Sequence, residues 1–171
     1  FLGILSDKNI LPSPKIRFLI QILILFNLVF FAELKIINLE NQMLNEILEN
    51  KIFNSIFTVF CLAILINGSN FLDGLNGLLS GYYLMIISSI FFICFNNDEI
   101  LFIYKNELEI IFLFLIIFFI FNIYGKVYLG DGGSYLIGAF ISFYLIEFVL
   151  NNQYLHVSPY YVASILWYPA F

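Results

Sequence analysis

Between Lys51 and Asn97 the chain carries a single acid, Asp73, with apolar sequence on both sides of it. The stretch around it, residues 67–78, reads Asn-Gly-Ser-Asn-Phe-Leu-Asp-Gly-Leu-Asn-Gly-Leu. Inside hydrocarbon every unpaired backbone N–H or C=O costs several kcal/mol, so a lipid-exposed loop of this composition is excluded. The stretch must lie at a water interface or line a polar cavity. An ionisable group in such a place is usually functional.

The surrounding sequence is hydrocarbon to an extent no soluble domain shows. Hydrophobic residues make up 62% of the chain and charged residues 11%, against about 45–50% and about 25% in soluble domains. Apolar runs at 16–34, 75–95, 108–124 and 134–150 are close to the roughly 20 residues that cross a bilayer as a helix, and 52–66 is short for a span but can extend into the stretch after it. A further run, 157–171, begins a sixth, with Trp167, Tyr168 and Pro169 resembling an interfacial belt and helix stop. The expected fold is an all-α polytopic membrane bundle of one domain, with about five complete spans and a partial sixth. Opening at Phe1 and stopping within an apolar run, the chain reads as the middle of a longer protein. Its few basic residues form no patch, which excludes nucleic acid as a partner. Cys61 and Cys94 fall inside apolar runs and read as packing residues, not a disulfide or metal pair.

Counting crossings places the loops. Asp7 precedes the first span, Asp73 follows two spans, and Asp131 follows two more, so all three acids end on one face. That face carries Lys8, Lys15, Arg17 and Lys126, and the opposite one Lys35, Lys51 and Lys105. The excess of basic residues, though small, puts the three acids in the cytosol. On the far face, Leu39, Met43, Leu44, Ile47 and Leu48 recur at helical spacing within the polar segment 33–51. Either an amphipathic surface helix or a solvated loop satisfies that pattern.

The loop 124–134 adds chemistry: Gly125, Gly130, Gly132 and Gly133 flank Asp131 and Ser134 at a helix start. Glycines admit close approach of phosphate, and a helix N-terminus offers unpaired N–H groups to an anion. A carboxylate there repels phosphate unless a divalent cation sits between them, and Mg²⁺ typically uses one or two carboxylates plus substrate phosphates. Asp7, Asp73 and Asp131 together could hold a metal–pyrophosphate. Taken singly, the same residues admit plainer roles: a turn or a helix cap for Asp131, membrane anchors for Lys15 and Arg17, and an interfacial position for His156.

Residues 67–78 resemble the central signature of the polyprenyl-phosphate N-acetylhexosamine-1-phosphate transferases, glycosyltransferase family 4, which include phospho-N-acetylmuramoyl-pentapeptide transferase. Gly130-Asp131-Gly132-Gly133-Ser134 with Gly138 is similar to that family's later Gly-Asp-x-Gly-Ser loop. Gly3-Ile4-Leu5-Ser6-Asp7, followed by Ser13-Pro14-Lys15-Ile16-Arg17 and Gln21, resembles its Asp-Asp loop and next helix. Two positions depart: Ser6 stands where the family has the first of two acids, and Asn76 replaces the second acid of the central signature. The resemblance implies a piece of a larger bundle of about ten to eleven spans in the bacterial cytoplasmic membrane. It implies transfer of a sugar 1-phosphate from a UDP-N-acetyl sugar to polyprenyl phosphate, releasing UMP, with Mg²⁺ or Mn²⁺ as cofactor and a homodimer as a possible assembly.

Under that resemblance Asp7 and Asp73 are the catalytic candidates, and Asp131 with Asp73 the metal ligands. Asn67, Asn70, Lys15 and Arg17 would contact substrates, the two cations facing the acceptor phosphate. Phosphoryl transfer needs positioning and charge neutralisation more than covalent help. The rival class is a transporter, whose Gly-interrupted helices also build carboxylate sites. Those lie near the bilayer midplane, whereas these three acids fall at span ends.

Overall fold

The structure is a computed structural model that describes residues 2–10, 13–37, 39, 41–96 and 104–151. Regular structure among these residues is entirely helical: α1 (Leu2–Asp7), α2 (Pro14–Phe31), α3 (Gln42–Leu48), α4 (Lys51–Asp73), α5 (Leu78–Asn96), α6 (Lys105–Ile123) and α7 (Gly130–Asn151). Five of them, α2 and α4 to α7, are long and apolar enough to cross a membrane. The run at 157–171 and His156 lie outside the described residues.

Local chemistry sets the helix ends. Pro14 occupies the first turn of α2, where its missing N–H costs nothing, after Ser13 in extended backbone. Asn50 caps α4 by accepting from Ile52 N and Phe53 N at 3.0 and 3.2 Å. Asn41 caps α3 by accepting from Leu44 N at 3.2 Å. The far-face segment thus resolves in favour of a short helix. Leu48 turns inward while Met43, Leu44 and Ile47 stay exposed. Asn54 of α4 ties this face together, donating to Ile36 O and Leu48 O at 2.8 and 2.9 Å and accepting from Ile36 N at 3.0 Å.

The second span differs from its sequence boundary. α4 does not stop near Ile66 but runs unbroken through Asp73, about 35 Å at 1.5 Å per residue. The polar residues there are satisfied inside the helix: Asn67 Nδ2 donates to Ala63 O at 2.7 Å and Ser69 Oγ to Leu65 O at 2.5 Å. Side chains that return their hydrogen bonds to the preceding turn leave nothing for lipid to desolvate.

α4 and α7 form the buried centre, and α2 and α6 expose most of their length. One cluster packs α4, α5, α6 and α7 around Leu65, Leu79, Tyr83, Ile87, Leu115 and Ile141. A second packs α2, α4 and α7 around Leu25, Val29, Leu62, Ile66 and Ile146. Small residues set the α4–α7 distance, as expected where van der Waals contact replaces a hydrophobic drive. Ser134, Gly138 and Ser142 are buried one turn apart along α7. A Cβ on Gly138 would sit 2.6 Å from Ser69 Oγ and 3.1 Å from Ile66 Cα. The same Ser69 hydroxyl is hydrogen-bonded to the buried Tyr83 hydroxyl of α5, so it has little freedom to move aside.

Gly138→Ala should therefore destabilise the bundle by about 1–3 kcal/mol, the cost of overpacking a filled interface. Gly74→Ala, whose Cβ would meet only the Phe71 carbonyl at 3.4 Å, should be close to neutral. Thermal unfolding of both variants in one detergent checks the contrast.

Candidate active site

The site is built on the start of α7. The first N–H groups of a helix lack intrahelical partners and carry the positive end of its dipole. Here two other helices supply the acceptors. Asp7, the last residue of α1, takes Asp131 N on Oδ1 and Gly132 N on Oδ2, each at 3.0 Å. Asp73, the last residue of α4, takes Gly130 N on Oδ2 at 3.0 Å. The next N–H, of Gly133, closes the helix on Leu129 O at 3.2 Å. A carboxylate at a helix C-terminus is ordinarily opposed by the dipole; facing another helix's N-terminus reverses that sign.

The sequence assigns these N–H groups to a substrate phosphate. The structure gives them to the protein's own carboxylates, because α1 packs its backbone directly onto α7. A Cβ on Gly3 would run into the Asp131 carbonyl, and one on Gly132 would lie 3.1 Å from Ile4 and 3.2 Å from Asp7 Oδ2. Gly130 has φ +66°, a conformation that glycine adopts freely, and it turns the chain into α7 beside Asp7.

The Asp131 side chain has partners of its own. Its Oδ2 accepts from Arg17 Nη1 at 2.7 Å and from the Ser6 hydroxyl. Both partners are largely shielded, so the ion pair is less screened than one at an open surface. Arg17 comes from the first turn of α2, and its Nε is buried with no partner. Lys15 is exposed on the same end of the bundle.

Of the residues the sequence singles out, Asp7, Asp73, Asp131 and Arg17 meet at the start of α7. Asn70 reaches its edge, accepting from Ser134 Oγ at 3.4 Å. Asn67 stands apart, six residues and roughly 9 Å up α4 from Asp73, where its Nδ2 also contacts Gln21 Oε1 at 3.2 Å. Asn122, Ser6 and the backbone of Gly3 are structural members of this region whose contacts the sequence does not announce. Asn122 carried one signal, a polar side chain in the last turn of an otherwise apolar helix.

A family model described as glycosyl transferase family 4 matches residues 1–149. The chain belongs to that family. No curated protein and no solved structure matches it. Family membership makes the protein a membrane-bound transferase, and it gives Ser6 a context: where the resemblance puts an acid, a hydroxyl donates to Asp131 instead.

A divalent cation fits the donors only in a particular way. Among the described residues no three His, Cys, Asp or Glu side chains lie close enough to share a metal. Asp73 nevertheless has one buried oxygen, Oδ1, without a hydrogen-bond partner, although its Oδ2 is engaged. Buried carboxylate oxygens seldom lack a partner, because desolvating them is costly. One or two carboxylates completed by substrate phosphate and water is the ordinary environment of Mg²⁺, and Asp73 and Asp131 offer that number. The glycosyl transferase family 4 site is thus consistent with a cation shared with substrate, not with one caged by protein.

Replacing Asp7 with alanine should uncap α7 and cost about 1 kcal/mol, the usual size of an N-cap loss. Ser6→Ala should be milder, since Asp131 Oδ2 keeps Arg17. Paired thermal-unfolding curves test the ranking, and equal losses would refute it.

Proposed function

We propose that the protein transfers an N-acetylaminosugar 1-phosphate from a UDP-sugar to polyprenyl phosphate and releases UMP, the first step in building a cell-envelope polysaccharide. The observation that carries this reading is the meeting of Asp7, Asp73 and Asp131 at one helix start, beside Arg17 and at the ends of the spans. A lipid acceptor lives in the bilayer and a nucleotide donor in water, and a site at the membrane surface is where the two can meet. In this reading the loop face is the cytosolic face of a bacterial inner membrane.

An oxygen of the acceptor phosphate attacks the sugar-linked phosphorus of the donor, and the bond from that phosphorus to the bridging oxygen breaks, leaving UMP. The acceptor has its second pKa near 6, so it is largely dianionic at neutral pH and needs little help from a base. Asp7 is therefore assigned to orienting the acceptor or a water. Arg17 and Lys15 face its charge, Arg17 with a planar fork suited to phosphate. Asp131 and Asp73 would hold Mg²⁺ or Mn²⁺, which when bound offsets the charge of the transferred phosphoryl group. Ser6 and Arg17 fix the rotamer of Asp131. Asn70, held by Ser134, is placed to contact the donor, and Asn67 contributes from deeper along α4.

The transporter reading is disfavoured by placement, since α4 ends at Asp73 and α7 begins at Gly130, with no carboxylate pair at mid-span among the described residues.

The full-length protein, purified in lipid nanodiscs and supplied with undecaprenyl phosphate and a panel of UDP-N-acetyl sugars, should release UMP in the presence of Mg²⁺. Chelation should abolish release, and added Mg²⁺ or Mn²⁺ should restore it. Asp131→Asn should lower turnover by about a hundredfold or more, because a neutral amide no longer offsets the cation. Solute uptake without UMP release from any donor would overturn the proposal.

A further inference from the structure

We propose that Asn122 is a positioning residue that fixes the loop carrying Asp73 against the loop carrying Asp131; the inference rests on the transferase reading above. Asn122 lies in the last turn of α6 and is almost fully buried. Its Oδ1 accepts from Gly77 N at 2.7 Å and from Ser80 Oγ at 3.4 Å. Its Nδ2 donates to Val127 O at 2.8 Å. Gly77 follows Asp73 by four residues, and Val127 precedes Gly130 by three. Gly130 in turn donates to Asp73. The two loops therefore form a closed circuit, sewn at one side by Asp73 and at the other by Asn122.

Other helical asparagines show the plainer alternative. Asn27, Asn67 and Asn96 each return a bond to the carbonyl four residues earlier, at Leu23, Ala63 and Phe92. Asn122 makes no such bond to its own helix and spends both ends of its amide on backbone groups of the two acidic loops. The surroundings are shaped for it. Gly77 takes φ +78°, and a Cβ there would lie 2.9 Å from Ile123. Gly125 takes φ +64°, and a Cβ there would lie 3.1 Å from Asn76 Nδ2. A larger residue at either position would strain the backbone and crowd Ile123 or Asn76 beside the seam that Asn122 closes.

Asn122 touches neither Asp73 nor Asp131, so its effect must pass through backbone. Displacing a carboxylate by about 1 Å can cost on the order of a hundredfold in rate. The acceptor side moves with the same loop, because Arg17 is hydrogen-bonded to Asp131 and Asp7 to the N–H groups of Asp131 and Gly132, so loop exchange and cation affinity are the readouts that isolate the circuit.

The test uses Asn122→Leu, which keeps similar volume and suits the bilayer, with Asn122→Ser as the second variant should the first fail to accumulate. Three quantities are read on the full chain in nanodiscs: hydrogen–deuterium exchange, Mn²⁺ binding without substrate by electron paramagnetic resonance, and UMP release. The expected result is faster exchange in both 74–81 and 125–133, with α2 and α3 unchanged. Mn²⁺ should bind about tenfold more weakly, and kcat should fall by roughly 30- to 100-fold. A purely structural role would instead raise exchange across the whole bundle. Exchange confined to one loop, or kcat and Mn²⁺ affinity left intact, would overturn the proposal. If the parent releases no UMP at all, the transferase reading fails, and the exchange and Mn²⁺ measurements still decide whether Asn122 sets the two loops.

Discussion

Everything at the functional end of this bundle depends on how the N-terminus of α7 is satisfied. Its first N–H groups cannot be left in a low-dielectric setting without partners, and lipid offers none. Two carboxylates from distant parts of the chain meet that demand, Asp7 from α1 and Asp73 from α4. The interaction is charge-assisted and aligned with the helix dipole, so it is stronger than a neutral cap. It also decides the architecture: α1 must lie against α7, and α4 must end at the same level. Gly3, Gly130 and Gly132 are small because the backbones meet there.

On each face of the bundle an asparagine ties loops to helices. Asn54 holds Ile36 and Leu48 on one side, and Asn122 holds Gly77 and Val127 on the other. An amide suits this work in a membrane because it donates and accepts without a charge to desolvate. Arg17 and Asp131 show the other solution, opposite charges brought together so that neither stands alone.

Much of this was legible in the residues. The five spans follow from apolar length alone, since no other structure satisfies the backbone of such runs in hydrocarbon. The common face of Asp7, Asp73 and Asp131 follows from counting crossings, and their meeting at one helix start agrees with that count. The end of the second span was not legible. Gly68, Ser69 and Asn70 look like a loop, but Ser69 bonds its own helix and Tyr83, and Gly138 admits the close packing that keeps α4 helical. Nor could the partner of Asp131 be read, because Ser6 and Arg17 lie more than a hundred positions away. Composition marks the groups that need partners; only packing chooses which partner each receives.

The anchoring of α7 has a consequence for how the family's loop can vary. Asp7 and Asp73 grip main-chain N–H groups, and the glycines at 130 and 132 leave room for that grip. What it fixes is phase. An α-helix turns about 100° per residue, so one residue gained or lost between Val127 and Gly130 would bring larger residues to the gripped glycine positions. It would also carry a different side chain round to face Arg17 and Ser6. The loop length before α7 thus acts as an angular setting, and the identity of residue 131 has meaning only at that setting.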